Sequence, residues 1–140
     1  MDEAMEDAKE LFELSKNTIT YGIIGYFMHL TNAPAEETLK LCREAYEYNE
    51  DDRDILDNLA LAYYRAGQYE KAKEYTDKMT REHTAFVEAF YHGALVEAAL
   101  GNTDKAREYL AKLPECRRTY MTTVSQEEID ALAEKLGKQE

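Results

Sequence analysis

Residues 60–78 (ALAYYRAGQYEKAKEYTDK) and residues 94–112 (ALVEAALGNTDKAREYLAK) are alike at a distance of 34 residues. Small residues, turn glycines and one tyrosine recur in the same places: Ala60/Ala94, Gly67/Gly101, Ala72/Ala106 and Tyr75/Tyr109. A period of a few tens of residues is typical of stacked helical hairpins, each of which buries its apolar face against its neighbours. The two segments therefore predict an all-α stack of hairpins.

The first copy has the apolar spacing of a helix, a turn and a second helix. Before the turn, apolar residues follow the i, i+3, i+4, i+7 pattern of one helix face: Leu56, Leu59, Ala60 and Tyr63. Gly67 is predicted to end this helix, because glycine enters the left-handed conformation without strain. A second helix is predicted from Tyr69, and because the connection is short, the two helices are expected to be antiparallel neighbours.

The same reasoning extends to the whole chain, which we interpret as a single domain. We predict an N-terminal helix in residues 1–17, a degenerate repeat in 19–52, a clear repeat in 53–86, a further repeat in 87–120 and a capping helix in 125–137. Ser125 and Glu128 form a capping-box pattern at the start of the last helix. Residues 114–124 have no clean periodicity and are predicted to form a linker or a distorted turn.

The charge balance restricts the kinds of partner. The chain has 29 acidic and 17 basic residues, a formal net charge of −12, which repels phosphate backbones and anionic membrane surfaces. The longest apolar run, residues 19–30, is too short to span a bilayer, and the chain begins with acidic residues rather than a basic leader. We therefore expect a soluble, cytoplasmic protein with no nucleic-acid binding and no membrane insertion.

Cysteine usage gives no sign of a metal site or a disulfide framework. The two cysteines, Cys42 and Cys116, lie far apart, and neither belongs to a CxxC motif. We expect both to be reduced, partly buried thiols.

Residues 56–79 resemble the tetratricopeptide repeat. In that family a large residue is followed by a leucine and a small residue, an aromatic, a glycine and an aromatic at the turn, and a small residue in the second helix. These roles fall here on Leu56, Leu59, Ala60, Tyr63, Gly67, Tyr69 and Ala72. The resemblance implies a right-handed superhelical stack of antiparallel hairpins. The following unit departs from the pattern at Gly93, Glu97 and Thr103, where looser packing is expected.

The resemblance also implies that the first helix of each hairpin lines a concave groove. The predicted partner-binding residues lie on these helices, away from the core: Phe27, Asp54, Asp57, Asn58, Leu61, Tyr64, Arg65, Glu88, Tyr91, His92 and Leu95. An apolar and aromatic floor with Asp54, Asp57 and Glu88 at the rim favours a peptide or helix that carries hydrophobic and basic side chains. The alternative is that Leu61 and Leu95 simply pack against a neighbouring helix.

One use of this fold captures the C-terminal carboxylate of a partner with two asparagines and several basic residues. Only Asn58 matches that pattern. Leu61 and Leu95 stand where polar residues are needed, so the sequence predicts that this mode is not used.

No catalytic motif is present in the sequence. There is no HExxH motif, nucleophile elbow or glycine-rich phosphate loop, and His29, His83 and His92 are too scattered for a ligand set. The sequence therefore predicts a non-enzymatic interaction module or adaptor, with no metal and no cofactor. Two alternatives stay open: self-assembly through the stack ends or the groove and, more remotely, a metal site or enzyme that uses His92 beside Glu88.

Overall fold

The computed structural model describes residues 2–116 and 124–137, and every regular element within them is helical. The α-helices are α1 (Asp2–Leu14), α2 (Thr18–Leu30), α3 (Ala35–Tyr48), α4 (Arg53–Arg65), α5 (Tyr69–Glu82), α6 (Val87–Ala99), α7 (Thr103–Lys112) and α8 (Gln126–Gly137). A short 3₁₀ helix, Leu113–Glu115, follows α7. Most of the predicted linker, residues 117–123, lies outside the described residues. The all-α prediction is confirmed.

The helix starts reproduce the period of the sequence. Helices α2, α4 and α6 begin at Thr18, Arg53 and Val87, which are 35 and 34 residues apart. Helices α3, α5 and α7 begin at positions 35, 69 and 103, which are 34 residues apart both times. The chain is therefore built from helix pairs that alternate in a fixed register, with α2, α4 and α6 as first helices and α3, α5 and α7 as second helices.

Two of the turns use the predicted glycines. Gly67 has φ = 77° and Gly101 has φ = 84°, both in the left-handed region. At the first of these turns the Gln68 N–H donates to the Tyr63 carbonyl at 2.9 Å, a bond that satisfies a carbonyl at the end of α4. The same pattern of bonds recurs after α6. Each first helix therefore stops where a residue accepts a positive φ at low cost.

The turn after α2 uses asparagine instead. Asn32 has φ = 54°, and the Ala33 N–H donates to the Met28 carbonyl at 2.9 Å, as at the glycine turns. Asparagine is among the few residues other than glycine that adopt this conformation routinely. Because Asn32 lies 35 residues before Gly67, it sets the register of the first repeat.

By backbone contacts the chain divides into two units, the first covering Met1–Gln68 and the second Tyr69–Glu140. In the first unit α2 packs against α1, α3 and α4, and α3 also packs against α4. One cluster of its buried apolar residues draws on all four helices: Ala8, Phe12, Tyr21, Ile24, Ala45 and Ile55. The Phe12 and Tyr21 rings meet edge to face at 4.9 Å, an arrangement that aromatic pairs prefer.

In the second unit α6 packs against α5, α7 and α8. Helix α8 buries Ile129, Leu132 and Leu136 and exposes its acidic face. Its first turn is capped by Ser125, whose Oγ accepts the backbone N–H of Glu128 at 3.1 Å. At its other end an Arg107 N–H donates to the Leu136 carbonyl at 2.7 Å, tying α8 to α7.

The second unit also explains two departures from the repeat pattern. A Cβ on Gly93 would lie only 3.0 Å from the Tyr109 ring, so this ring occupies the space of the missing side chain. Glu97 is 1% exposed, accepts a hydrogen bond from Lys73 Nζ at 2.5 Å and a second from Asn102 Nδ2 at 2.7 Å. The bond to Glu97 raises the pKa of Lys73. The looser packing expected at Gly93 and Glu97 is therefore not observed.

Neither cysteine forms a disulfide within the described residues. Cys42 is fully buried, and burial raises the pKa of its thiol to about 12. Cys116 is half-buried at the edge of the second unit.

Candidate functional site

One face of α2 in the first unit is apolar and open to solvent. Ile19, Ile23, Tyr26 and Leu30 follow an i, i+4, i+7, i+11 spacing, which places them along one side of the helix. The exposed fractions are 72% for Ile19, 39% for Tyr26 and 47% for Leu30, while Ile23 is half-buried and also packs against the apolar core of the first unit. We call these four residues the α2 stripe.

The corresponding positions of α4 lie 35 residues later and are more polar. They are Asp54, Asn58, Leu61 and Arg65. Asp54 is exposed, Leu61 and Arg65 are half-buried and Asn58 is buried. Tyr64, next to Arg65, is also half-buried. The α4 side of this surface therefore offers Asp54, Leu61 and Tyr64 as accessible side chains.

Asn58 is used to hold α4 against α2. Its Nδ2 donates to the Gly22 carbonyl at 3.1 Å. A Cβ on Gly25 would lie 2.7 Å from the same nitrogen, so glycine is needed there for the close approach of the two helices. Asn58 thus has a packing role rather than a free amide.

Arg65 and His29 join the ends of the same two helices. The Arg65 guanidinium lies 3.2 Å from His29 Nδ1 and also donates to Asn32 Oδ1 at 3.0 Å and to the Ala33 carbonyl at 2.5 Å. Because the guanidinium can only donate, Nδ1 accepts, and His29 Nε2 therefore carries the proton that it donates to the Asn58 carbonyl at 2.8 Å. Sequence reasoning missed this cluster because its members lie about 30 residues apart.

Phe27 does not lie on the exposed face of α2. It is half-buried and packs against the apolar core of the first unit. Tyr26, one residue earlier, is the exposed aromatic, and its ring centroid lies 5.5 Å from that of Phe27. No glycine marks the turn after α2, where the left-handed residue is Asn32, so the sequence alone does not define the register of this repeat.

The remaining predicted residues are largely buried. Glu88, Tyr91 and His92 on α6 are all under 9% exposed, and Leu95 packs against the core of the second unit. Asp57 on α4 is 9% exposed. Of the three acids expected at a rim, only Asp54 is exposed, so the placement of Asp57 and Glu88 differs from the prediction.

Across residues 2–116 and 124–137, no group of three or more histidine, cysteine, aspartate or glutamate side chains is arranged to hold a metal ion. No helix in the same ranges is both long and apolar enough to cross a membrane.

Comparison with protein families confirms the resemblance found in the sequence. The tetratricopeptide-repeat family model matches residues 54–83 and residues 88–115, which correspond to α4 with α5 and to α6 with α7. Each of the two matched segments therefore has the sequence pattern of a tetratricopeptide repeat. No curated protein sequence matches it.

Solved structures with the same fold include three tetratricopeptide-repeat proteins. The second repeat domain of Spaghetti (RPAP3), bound to the HSP90 peptide SRMEEVD, is 15% identical with a TM-score of 0.64, over 82% of this chain and 99% of that one. YrrB, described as having an unusual peptide-binding site, is 21% identical with a TM-score of 0.71, over 96% and 68%. A protein from Parabacteroides merdae is 21% identical with a TM-score of 0.67, over 96% and 53%.

Proposed function

We propose that this chain is a non-enzymatic protein-interaction module that binds a peptide or a short helix on the α2 stripe and the adjoining face of α4. The observation that carries the proposal is the exposure of Ile19, Tyr26 and Leu30 on a helix that also packs against α1, α3 and α4. Isolated exposed apolar residues are common, but an apolar stripe along one helix face is typical of a binding surface.

The chemistry of this surface indicates the kind of ligand. Tyr26 offers a large, rigid contact with a polar end, and the aliphatic Ile19 and Leu30 flank it. Asp54 adds an exposed carboxylate at the position of α4 equivalent to Ile19, and the whole chain is strongly acidic. A ligand with apolar anchors and lysine or arginine side chains fits this combination.

Two structural neighbours support a peptide as the ligand, because one is bound to a peptide and another is described by its peptide-binding site. Capture of a terminal carboxylate is a less suitable mode for this chain. The Asn58 amide and the Arg65 guanidinium already hydrogen-bond to backbone atoms of the first unit, so binding a carboxylate would break those bonds.

The burial pattern also revises which predicted residues are proposed as contacts. We assign packing roles to Asn58, Arg65, Asp57 and Phe27, and propose Leu61, Tyr64 and Asp54 as contacts on α4. On α6 the buried Glu88, Tyr91 and His92 are assigned to packing, and Leu95 is assigned to packing against the core of the second unit.

A displayed library of 12-residue peptides, selected against the full chain, tests this proposal. We expect the selected peptides to be rich in apolar and basic residues. Their affinity, measured by fluorescence anisotropy, should fall at least about tenfold in Ile19→Asp and Tyr26→Asp, as expected for anchor contacts. Tyr69→Asp is the matched control, because Tyr69 is exposed to nearly the same extent, at 36%.

Circular dichroism and thermal melting of each variant confirm that the fold is retained. The proposal fails if no peptides are enriched, or if folded Ile19→Asp and Tyr26→Asp bind the selected peptides as tightly as the parent chain does.

A further inference from the structure

The first unit has a second concave surface, on the other side of α2. Helices α1, α2 and α3 line a solvent-open cleft of about 950 Å³, which we call the α1–α3 cleft. Its apolar lining comes from all three helices: Met5, Phe12, Ile24, Met28 and Leu41. Ile24 follows Ile19 by five residues, which places it about 140° round the helix from the α2 stripe. The two surfaces are therefore separate.

The rim of the α1–α3 cleft is charged, with acids in excess. Four glutamates and two lysines border it: Glu6, Lys9, Glu13, Glu37, Lys40 and Glu44. All six side chains are exposed, and none forms an ion pair within the described residues. Their charges are thus available to a ligand, and the excess of glutamate favours a basic one.

The shape of the cleft fits a helix. Its walls run from Met5 to Glu13 along α1 and from Glu37 to Glu44 along α3. At 1.5 Å per residue these stretches are roughly 10–12 Å long, about two helical turns. The lining residues of each wall recur at spacings of three or four because each wall is one face of a helix, and such faces carry the ridges and grooves into which another helix packs. Met5 and Met28 add flexible side chains that adapt to a ligand surface.

In the second unit the space equivalent to the α1–α3 cleft is filled. A cleft is therefore not a necessary result of packing helical hairpins together. Ile24 and Met28 correspond to Gly93 and Glu97 of α6, which lie 69 residues later. There Tyr109 of α7 covers Gly93 and approaches Thr80 of α5, with 3.4 Å between their hydroxyl oxygens. Leu41 holds the place of Tyr109 and is too short to bridge in the same way.

We propose that the α1–α3 cleft binds an amphipathic helix of a partner protein, with its apolar side on Met28 and Leu41 and its lysine or arginine side chains beside the glutamates of the rim. The site is independent of the α2 stripe. A partner can therefore occupy one surface while the other stays free.

The test uses two labelled 15-residue helical peptides with leucine at i, i+3, i+4 and i+7, one with lysine and the other with glutamate at the remaining positions. By fluorescence anisotropy we expect the lysine peptide to bind and the glutamate peptide to bind at least about tenfold more weakly, with the difference shrinking as salt is raised. The double variant Glu13→Lys, Glu44→Lys should reverse this preference without changing the melting temperature by more than a few degrees.

Two matched variants separate the surfaces. Leu41→Tyr, which places a tyrosine where the second unit has Tyr109, should fill the cleft and weaken lysine-peptide binding. Tyr26→Asp on the α2 stripe should leave that binding unchanged. The proposal is overturned if the rim variant keeps the parent preference, or if Tyr26→Asp abolishes binding while the rim and Leu41→Tyr variants do not. It is also overturned if sedimentation reveals a dimer that only the cleft variants dissociate, since a second copy would then be the occupant.

Discussion

The two units of this chain use the same helix pairing but fill the space around the first helix differently. In the first unit α2 presents apolar side chains to solvent on one side and to an open cleft on the other. In the second unit α6 contacts Tyr109 through Gly93 and buries Glu97 in an ion pair. The repeat register thus specifies where helices lie, while a few substitutions within that register decide whether a surface is closed or accessible.

The largest expected effect comes from breaking the buried pair of the second unit. Lys73→Met leaves the Glu97 carboxylate buried with Asn102 as its remaining hydrogen-bond donor. The Glu97 side chain is 1% exposed but the Lys73 side chain is 33% exposed, so only the carboxylate is fully buried. Leaving a buried acceptor without a partner costs about 1–3 kcal/mol, so the free energy of unfolding, measured with urea, should fall by about 2 kcal/mol. Lys71→Met is the matched control, because its ion pair with Glu74 is on the surface at 3.8 Å and should cost less than about 1 kcal/mol.

A double variant sharpens this comparison. Lys73→Met with Glu97→Met removes both charges and leaves an apolar contact, which should restore most of the lost stability. If the single Lys73→Met variant is as stable as Lys71→Met, the Lys73–Glu97 ion pair contributes no more to the stability of the second unit than a surface ion pair does.

A smaller effect is expected at the turn that sets the register of the first unit. Asn32→Ala and Asn32→Gly both remove the Oδ1 atom that accepts a hydrogen bond from Arg65. Only alanine is strained at φ = 54°. The alanine variant should therefore be less stable than the glycine variant by about 1 kcal/mol, in chemical denaturation followed by circular dichroism. Equal stabilities would mean that the turn does not require a left-handed residue.

The sequence was sufficient for the architecture because the architecture depends on local signals. Gly67 and Gly101 mark turns by a property of single residues, and the alanines shared by the repeats mark close helix contacts. Asn32 shows the limit of this reasoning, since asparagine occurs in many conformations and its left-handed turn is visible only in the structure. Phe27 was predicted as a contact in the same repeat, whereas the exposed aromatic there is Tyr26.

The candidate sites depend on contacts between residues distant in sequence, and these were not predictable. Lys73 and Glu97 lie 24 residues apart, and nothing in their local sequences indicates that they pair. Asn58 and Arg65 have the polar character of binding residues, yet they bond to α2 and to the turn that follows it. The α1–α3 cleft requires the position of α1, whose amphipathic pattern predicts a helix but not the width of the gap beside it.

The two cysteines allow the units to be followed separately in the unmodified protein. Cys42 lies in the first unit, and burial both shields it and raises its pKa to about 12, so almost none of it is thiolate at pH 8. Cys116 is half-buried in the second unit.

A thiol reagent such as Ellman's should therefore label Cys116 quickly and Cys42 only as fast as the first unit opens, with both labelled at once in denaturant. Raising the pH from 7 to 9 should speed Cys42 labelling about 25-fold if the thiol reacts only after the first unit opens, when its pKa is about 8.5. The increase should be about 100-fold if the thiol reacts while buried, because its pKa is then about 12. Rapid labelling of Cys42 in the native state would indicate that the helices around the α1–α3 cleft separate readily, which would favour a binding site that forms as its partner enters.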